Sequence, residues 1–230
     1  GSEMCIRDRL RAKQVEGIIY VAAHERLIQM LPEQLPVPTV VAYGFTNNPK
    51  IPSVIARDVK GAMDLVAYLI SCGHKKIGVI AGKKESVHTQ ARLEGYQVAL
   101  FDGKLLYDPN LVVYGAWDRE SGYRNTDVLI EKGVTAIFCM NDFMAGGTYD
   151  RLEEIGLCVG RDIAVVGYDN REMASYAKPP LTTMGLPLHD IGYCASEVII
   201  KLLRKEELTA ENGVYYVCLL YTSPSPRDRG

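Results

Sequence analysis

Short, continuously apolar runs alternate with longer amphipathic stretches along this chain, and that order constrains the fold more than any other feature. The runs are Gly17-Ile18-Ile19-Tyr20-Val21, Thr39-Val40-Val41-Ala42-Tyr43, Ile77-Gly78-Val79-Ile80-Ala81, Ala136-Ile137-Phe138-Cys139-Met140 and Ile163 to Gly167. Strands covered by helices on both faces read this way, whereas a strand with one wet face alternates apolar and polar residues. Helical periodicity is expected over 58–72, 86–101, 119–132, 143–155 and 188–204. In 58–72, Ala62, Leu65, Val66, Leu69 and Ile70 share a face, and Gly73 follows as a helix stop. In 188–204 the apolar face is Ile191, Ala195, Val198, Ile199 and Leu202. Repeated strand-then-helix order predicts an α/β architecture, a doubly wound parallel sheet built from right-handed βαβ units. Pro179-Pro180-Leu181-Thr182-Thr183 breaks the rhythm and reads as an extended crossing segment.

Composition narrows the function classes. The chain has 230 residues, 47% of them hydrophobic and 23% charged, which excludes disorder and collagen-like repetition. Its 26 basic and 28 acidic side chains leave a formal charge of −2, so no single-sign field draws nucleic acid or an anionic membrane to it. The apolar runs fall far short of the ~20 residues that span a bilayer. Six cysteines, at 5, 72, 139, 158, 194 and 218, lack CxxC or any other metal-ligand spacing, so no metal and no cofactor is expected. Cys139 and Cys194 sit in apolar runs as small buried hydrophobes, consistent with a reducing compartment.

The two ends do not join this pattern. Met4 to Arg9 and Cys218 to Asp228 both look like translations of a sequencing-library adapter, and Gly1-Ser2 looks like a cloning scar. Residues 1–9 and 218–230 are therefore expected to be non-native tails outside the fold, with natural sequence running from about Leu10 to about Val217.

Open α/β sheets bind ligands beyond the carboxyl ends of their strands, so the polar residues after each apolar run are the candidates. After 136–140 come Asn141-Asp142; after 163–168 come Asp169-Asn170; after 77–82 comes a loop with Glu85, Ser86, His88, Gln90 and Arg92. Leu111-Val112-Val113 leads to Trp117, Asp118 and Arg119. Carboxylate, carboxamide and guanidinium groups are planar and can span two neighbouring hydroxyls, while an aromatic face packs on the apolar side of a pyranose. The set suits a neutral sugar better than a phosphate or a peptide. Plainer roles compete: Asn141 or Asp142 as a helix N-cap, Asp169-Asn170 as an Asx turn, Arg92 paired with Glu94 or solvent, Trp117 as a surface or subunit contact. His74, after Gly73, suits a helix end better than a general base. No HExxH, GxSxG or Walker-type spacing is present, so no catalytic residue is assigned and the chain is not expected to be an enzyme.

Five motifs then occur in order: Leu69 to Ile77, Ala91-Arg92-Leu93-Glu94-Gly95-Tyr96, Ala136 to Gly147, Asp162 to Asn170, and Pro179 to Thr183. Together they resemble the sugar-effector domain of the lactose-repressor family of bacterial transcription regulators. The resemblance implies two Rossmann-like lobes of the periplasmic-binding-protein type I fold, joined by three crossings, with the effector in the cleft. On that template 10–57 and 184–211 form the N-terminal lobe, and 58–183 with the strand 213–217 form the C-terminal lobe. The strand at Gly17 resembles the third of its lobe, so the N-terminal lobe is expected to be incomplete. Effector-binding positions that carry over are Arg92, Asn141 and Asp169, with Trp117 as the stacking aromatic and His88 lining the pocket. Where the family has an aspartate from the N-terminal lobe, this chain has Tyr43. The implied function is the sugar-binding and dimerisation core of a cytoplasmic regulator. Operator DNA would be a partner only through a helix-turn-helix missing from this chain, and no membrane partner is implied. A homodimer is expected through Ala145, Tyr149, Leu152 and Ile155 of the helix 143–155. The alternative with the same fold is a periplasmic sugar receptor of a transporter.

Overall fold

The computed structural model describes residues 14–22, 28, 35, 37–210 and 213–222. In chain order its elements are β1 (Ile18–Val21), β2 (Thr39–Ala42), β3 (Ser53–Ala56), α1 (Asp58–Ser71), β4 (Ile77–Ala81), α2 (Val87–Asp102), β5 (Val112–Tyr114), α3 (Arg119–Glu131) and β6 (Ala136–Cys139). There follow α4 (Asp142–Glu154), β7 (Ala164–Asp169), α5 (Met173–Tyr176), β8 (Thr182–Gly185), α6 (Leu188–Leu203), β9 (Val214–Val217) and β10 (Leu220–Thr222). The chain divides into two compact units, 1–56 with 187–217 and 57–186 with 218–230. The α/β class, with parallel strands in two sheets, is as the sequence predicts.

The first unit holds a four-stranded parallel sheet in the order β1-β2-β3-β9. All four residues of β2 and of β3 are buried, as a strand covered on both faces requires. The apolar face of α6, Ile191, Ala195, Val198 and Ile199, is buried, and the helix lies along β2 and β3. Tyr43 follows β2 directly with φ 56 and donates its backbone N–H to Val54 O at 2.8 Å. The expectation that 213–217 belongs to the C-terminal lobe is corrected here. β9 pairs in parallel register with β3, Ser53 to Val214 through Ala56 to Val217, and so completes the hydrogen bonding on the side of β3 that faces away from β2.

The second unit holds a six-stranded sheet in the order β10-β8-β7-β6-β4-β5, parallel except for β10. Its core is formed by β4, β6 and β7 with the apolar faces of the flanking helices; Leu65, Val79, Ile80, Leu129, Phe138 and Met140 are fully buried. From β4 the chain steps to β5 on one side and returns through α3 to β6 on the other, so the strand order reverses at β4. Open sheets form their ligand crevices at such a switch point. Gly73 stops α1 at φ 95, and His74 bonds Thr135 Oγ1 through Nδ1 at 3.0 Å, a structural role as expected.

Two further expectations are revised. β8 ends within the second unit, which closes at Leu186 rather than 183. Leu220–Thr222, expected to lie outside the fold, pairs antiparallel with β8 from Thr222 opposite Thr183 to Leu220 opposite Gly185. An open sheet edge accepts a β-competent segment that reaches it, and Leu-Tyr-Thr is one. Residues 1–9 and 223–230 lie outside the described residues. No helix among the described residues is long and apolar enough to cross a membrane.

Candidate functional site

The carboxyl ends of β6 and β7 converge on one buried guanidinium. Arg92 lies on the second turn of α2 and is only 2% exposed, so it has none of the solvent contact weighed for it from sequence. Its Nε donates to Asp58 Oδ1 at 3.1 Å, and its Nη1 donates to the carbonyl of Met140 at the end of β6. Nη1 also lies 3.7 Å from Asp169 Oδ1. The guanidinium packs 3.6 Å over the Tyr168 ring, and Trp117 lies further off, its centroid at 5.8 Å. A charge this deeply buried must be paired, and here two carboxylates share the task.

Asp58, the first residue of α1, is the hub. It accepts from Arg92 and the Tyr168 hydroxyl (2.8 Å) on Oδ1, and faces His88 Nδ1 across 2.5 Å on Oδ2. Burial opposes its ionisation, but the Arg92 charge and the hydrogen bonds from His88 and Tyr168 outweigh this and hold its carboxyl down at about 2. The same surroundings push the Tyr168 hydroxyl far up, chiefly through burial and then the Asp58 charge. Sequence reading did not single out Asp58 or Tyr168. Their partners lie 30 to 110 positions away, and the available signal was an acidic residue just after the strand 53–56, which was itself not recognised.

Trp117 and Asn141 form a second pair. The indole packs directly on Gly82, where an added Cβ would lie 1.9 Å from the ring. Trp117 stands edge-on to the His88 ring at 6.5 Å and has φ 69. Asn141 caps α4, its Oδ1 accepting from Met144 N–H at 2.8 Å, while its Nδ2 donates to Trp117 O at 2.9 Å. The N-cap reading is therefore correct for Asn141, and the same side chain also ties the loop that carries Trp117. Gly82→Ala should displace the indole. Trp117 is the sole tryptophan, so a changed emission maximum with unchanged circular dichroism is the expected result, and an unchanged maximum would refute this packing.

Asp169 closes β7 with φ 102, and Asn170 follows with φ 53. Burial raises the Asp169 carboxyl above the usual carboxylate range, and the Arg92 and Arg171 charges oppose that rise. Arg92, His88, Trp117, Asn141 and Asp169 thus form one cluster within the second unit, whereas Tyr43 belongs to the first. Three neighbours in the sequence go elsewhere. Asp118 caps α3 through Ser121 N–H at 2.7 Å, and Arg119 grips Asp150 with two bonds of 2.6 Å. Asp142 is fully buried among protein partners. Among the described residues, no group of three or more His, Cys, Asp or Glu is placed to hold a metal ion.

The helix face proposed for dimerisation also changes. Ala145 and Leu152 are fully buried in the unit's own core, because Gly122 and Gly147 bring α3 and α4 into backbone contact and turn that face inward. Phe143 on α4 and Ile155 just past its end are exposed, and beside Gly146, Tyr149, Met173 and Tyr176 lies an open surface groove of about 740 Å³.

Residues 66–220 match the family of periplasmic binding protein-like domains. The HTH-type transcriptional repressor PurR of Vibrio atlanticus is 32% identical over 202 residues, which is 86% of this chain and 60% of that protein. The chain thus spans about 60% of the length of the curated relatives it matches. Among solved structures, a LacI-family regulatory protein from Chloroflexus aggregans aligns with a TM-score of 0.83 at 26% identity, over 94% of this chain and 78% of that one. A LacI family transcriptional regulator from Enterococcus faecium with bound ribose aligns at 0.77 and 25% identity, over 94% of this chain and 80% of that one.

Proposed function

From the premise that the chain belongs to the periplasmic binding protein-like domain family, among relatives that are LacI-type repressors, we propose that it is the sugar-effector-binding and dimerisation core of a cytoplasmic transcription regulator. The observation that carries this reading is the cluster of Arg92, Asp169, Asn141, Trp117 and His88 at the carboxyl ends of the second sheet. Asp169 supplies a carboxylate to accept hydroxyl hydrogen bonds, and Trp117 supplies an aromatic surface for a pyranose or furanose ring. Arg92, held by Asp58, fixes the position of Asp169. The Enterococcus faecium structure with bound ribose supports a sugar ligand. In this reading Tyr43 is the aromatic contact from the first unit, operator DNA is bound through an N-terminal helix-turn-helix of the whole regulator, and the chain performs no catalysis.

The test is calorimetric titration with D-ribose, cellobiose and a panel of mono- and disaccharides, with Trp117 emission followed in parallel. Saturable binding that changes the emission is expected. Binding of no sugar in the panel would remove the sugar reading. Self-association of the chain is expected to appear as a dimer in sedimentation at tens of micromolar, above ordinary dimer constants of ~10⁻⁶ M.

A further inference from the structure

Two consecutive non-glycine residues, Asp169 at φ 102 and Asn170 at φ 53, occupy the left-handed region that L side chains rarely adopt. Such backbone persists only where its surroundings over-determine it. The surroundings here are three hydrogen bonds that converge on one buried pair. Asn170 N–H donates to Thr183 Oγ1 at 3.3 Å, Thr183 Oγ1 donates to Asp142 Oδ1 at 2.6 Å, and Arg171 N–H donates to Asp142 Oδ2 at 2.6 Å. Asp142 is 0% exposed and Thr183 1%. Gly167 leaves room for this carboxylate, since a Cβ there would lie 2.3 Å from Asp142 Oδ1. A fourth bond, Leu186 N–H to Asp169 O at 3.4 Å, fastens the other side of the turn.

We propose that Asp142 and Thr183 are positioning residues: their hydrogen-bonded pair holds the turn 169–171 in its left-handed form and thereby aims the Asp169 carboxylate at Arg92 and at the effector. The proposal rests on the sugar-binding role given to Asp169 above. Asp142 stands on α4, Thr183 on β8 and Asp169 on β7, so the pair fixes the turn from two neighbouring elements at once. The side chains of Asp142 and Thr183 need touch no ligand to set its affinity, because they hold the backbone N–H groups that follow Asp169. Neither residue is explained by capping: Asn141, not Asp142, caps α4.

Three variants of the full chain test this: Thr183→Val, which keeps the shape and removes the hydroxyl; Thr183→Ser, which keeps the hydroxyl; and Asp142→Asn, which sets an amide against Arg171 N–H. Crystal structures without ligand read the Asp169–Arg92 separation, and titration with D-ribose and cellobiose reads affinity. In Thr183→Val the Asp169 carboxylate should withdraw from Arg92 and affinity should fall ~10-fold or more, about the worth of one charge-assisted hydrogen bond. Thr183→Ser should retain both. If Thr183→Val does not fold, Asp142→Asn takes its place with the same expected result. An unmoved Asp169 with wild-type affinity in the substituted protein overturns the proposal, as does a lowered melting temperature with neither change. If the unsubstituted chain binds neither sugar, affinity is read with whichever sugar of the panel it binds; if it binds none, the sugar reading falls and the crystal structures alone decide whether Asp142 and Thr183 hold the turn.

Discussion

Asp58→Ala should lower the melting temperature by about 10 °C, more than any other substitution at the site. It leaves the Arg92 guanidinium, 2% exposed, without its hydrogen-bonded carboxylate, and removes the acceptor of the Tyr168 hydroxyl and of His88 Nδ1. Breaking a buried pair from one side costs ~3–5 kcal/mol, and the lower end applies because Asp169 remains 3.7 Å from Arg92. For a chain of this size each kcal/mol moves the melting point by roughly 2–4 °C. Asp58→Asn keeps the shape and an acceptor, so it should fall between the two. The pH dependence follows with a definite sign. The folded carboxyl titrates at about 2, below its ordinary value of 3.8, so its contribution is present above about 4 and is lost as pH falls toward 2. Asp142 acts in the opposite sense. Burial raises its carboxyl to about 6, so its contribution is full below about 4 and is lost as pH rises through 6. Thermal melts across pH 2–8 should show a shallower acid-side fall in Asp58→Asn, and a shallower decline near pH 6 in Asp142→Asn, than in the parent. A melting temperature for Asp58→Ala within about 2 °C of the parent would show that Arg92 does not depend on Asp58.

The reach of the sequence explains why these two aspartates differ in how visible they were. Continuous apolar runs and helical periodicity are local signals, and they placed β1, β2, β4, β6, β7 and all five long helices close to their observed bounds. Rules about strand ends single out Arg92, Asn141 and Asp169 as candidates, and these lie together because the sheet itself brings strand ends together. The strand Ser53–Ala56 was missed because its four residues, Ser-Val-Ile-Ala, make too short an apolar run, and with it went the position just beyond it, Asp58. Pairing partners lie further from local pattern. Nothing in Val214–Val217 says which sheet it joins; its register with β3 does. Periodicity likewise gave a face to α4 but not its direction, which Gly122 and Gly147 decide by admitting α3 at backbone distance. The left-handed turn at Asp169 and Asn170 was invisible for the same reason, since its cause lies in Thr183 and Asp142, on other elements.

Asp169→Asn should weaken sugar binding ~10-fold or more while leaving the melting temperature of the ligand-free protein nearly unchanged. Hydrogen bonds to a charged acceptor contribute roughly 1.5–3 kcal/mol each, so one lost charge-assisted bond already gives that factor. The stability side of the prediction comes from the contrast with Asp58. Removing the Asp169 charge does not orphan Arg92, whose Nε remains bonded to Asp58 and whose Nη1 remains bonded to Met140 O. Burial already penalises the Asp169 carboxylate enough to raise its titration point despite two neighbouring guanidinium groups, so its ionised form gives the fold little net support. The turn that carries it is held by backbone N–H groups of Asn170 and Arg171, and these are indifferent to the side chain at 169. A carboxyl group that burial disfavours as an ion, on a backbone held by other residues, is what a ligand acceptor requires and a structural Asx turn does not. Side-by-side titration and melting of the two proteins separates the readings. Equal affinity with a lowered melting temperature would take Asp169 out of the site and remove the carboxylate acceptor on which the sugar assignment depends.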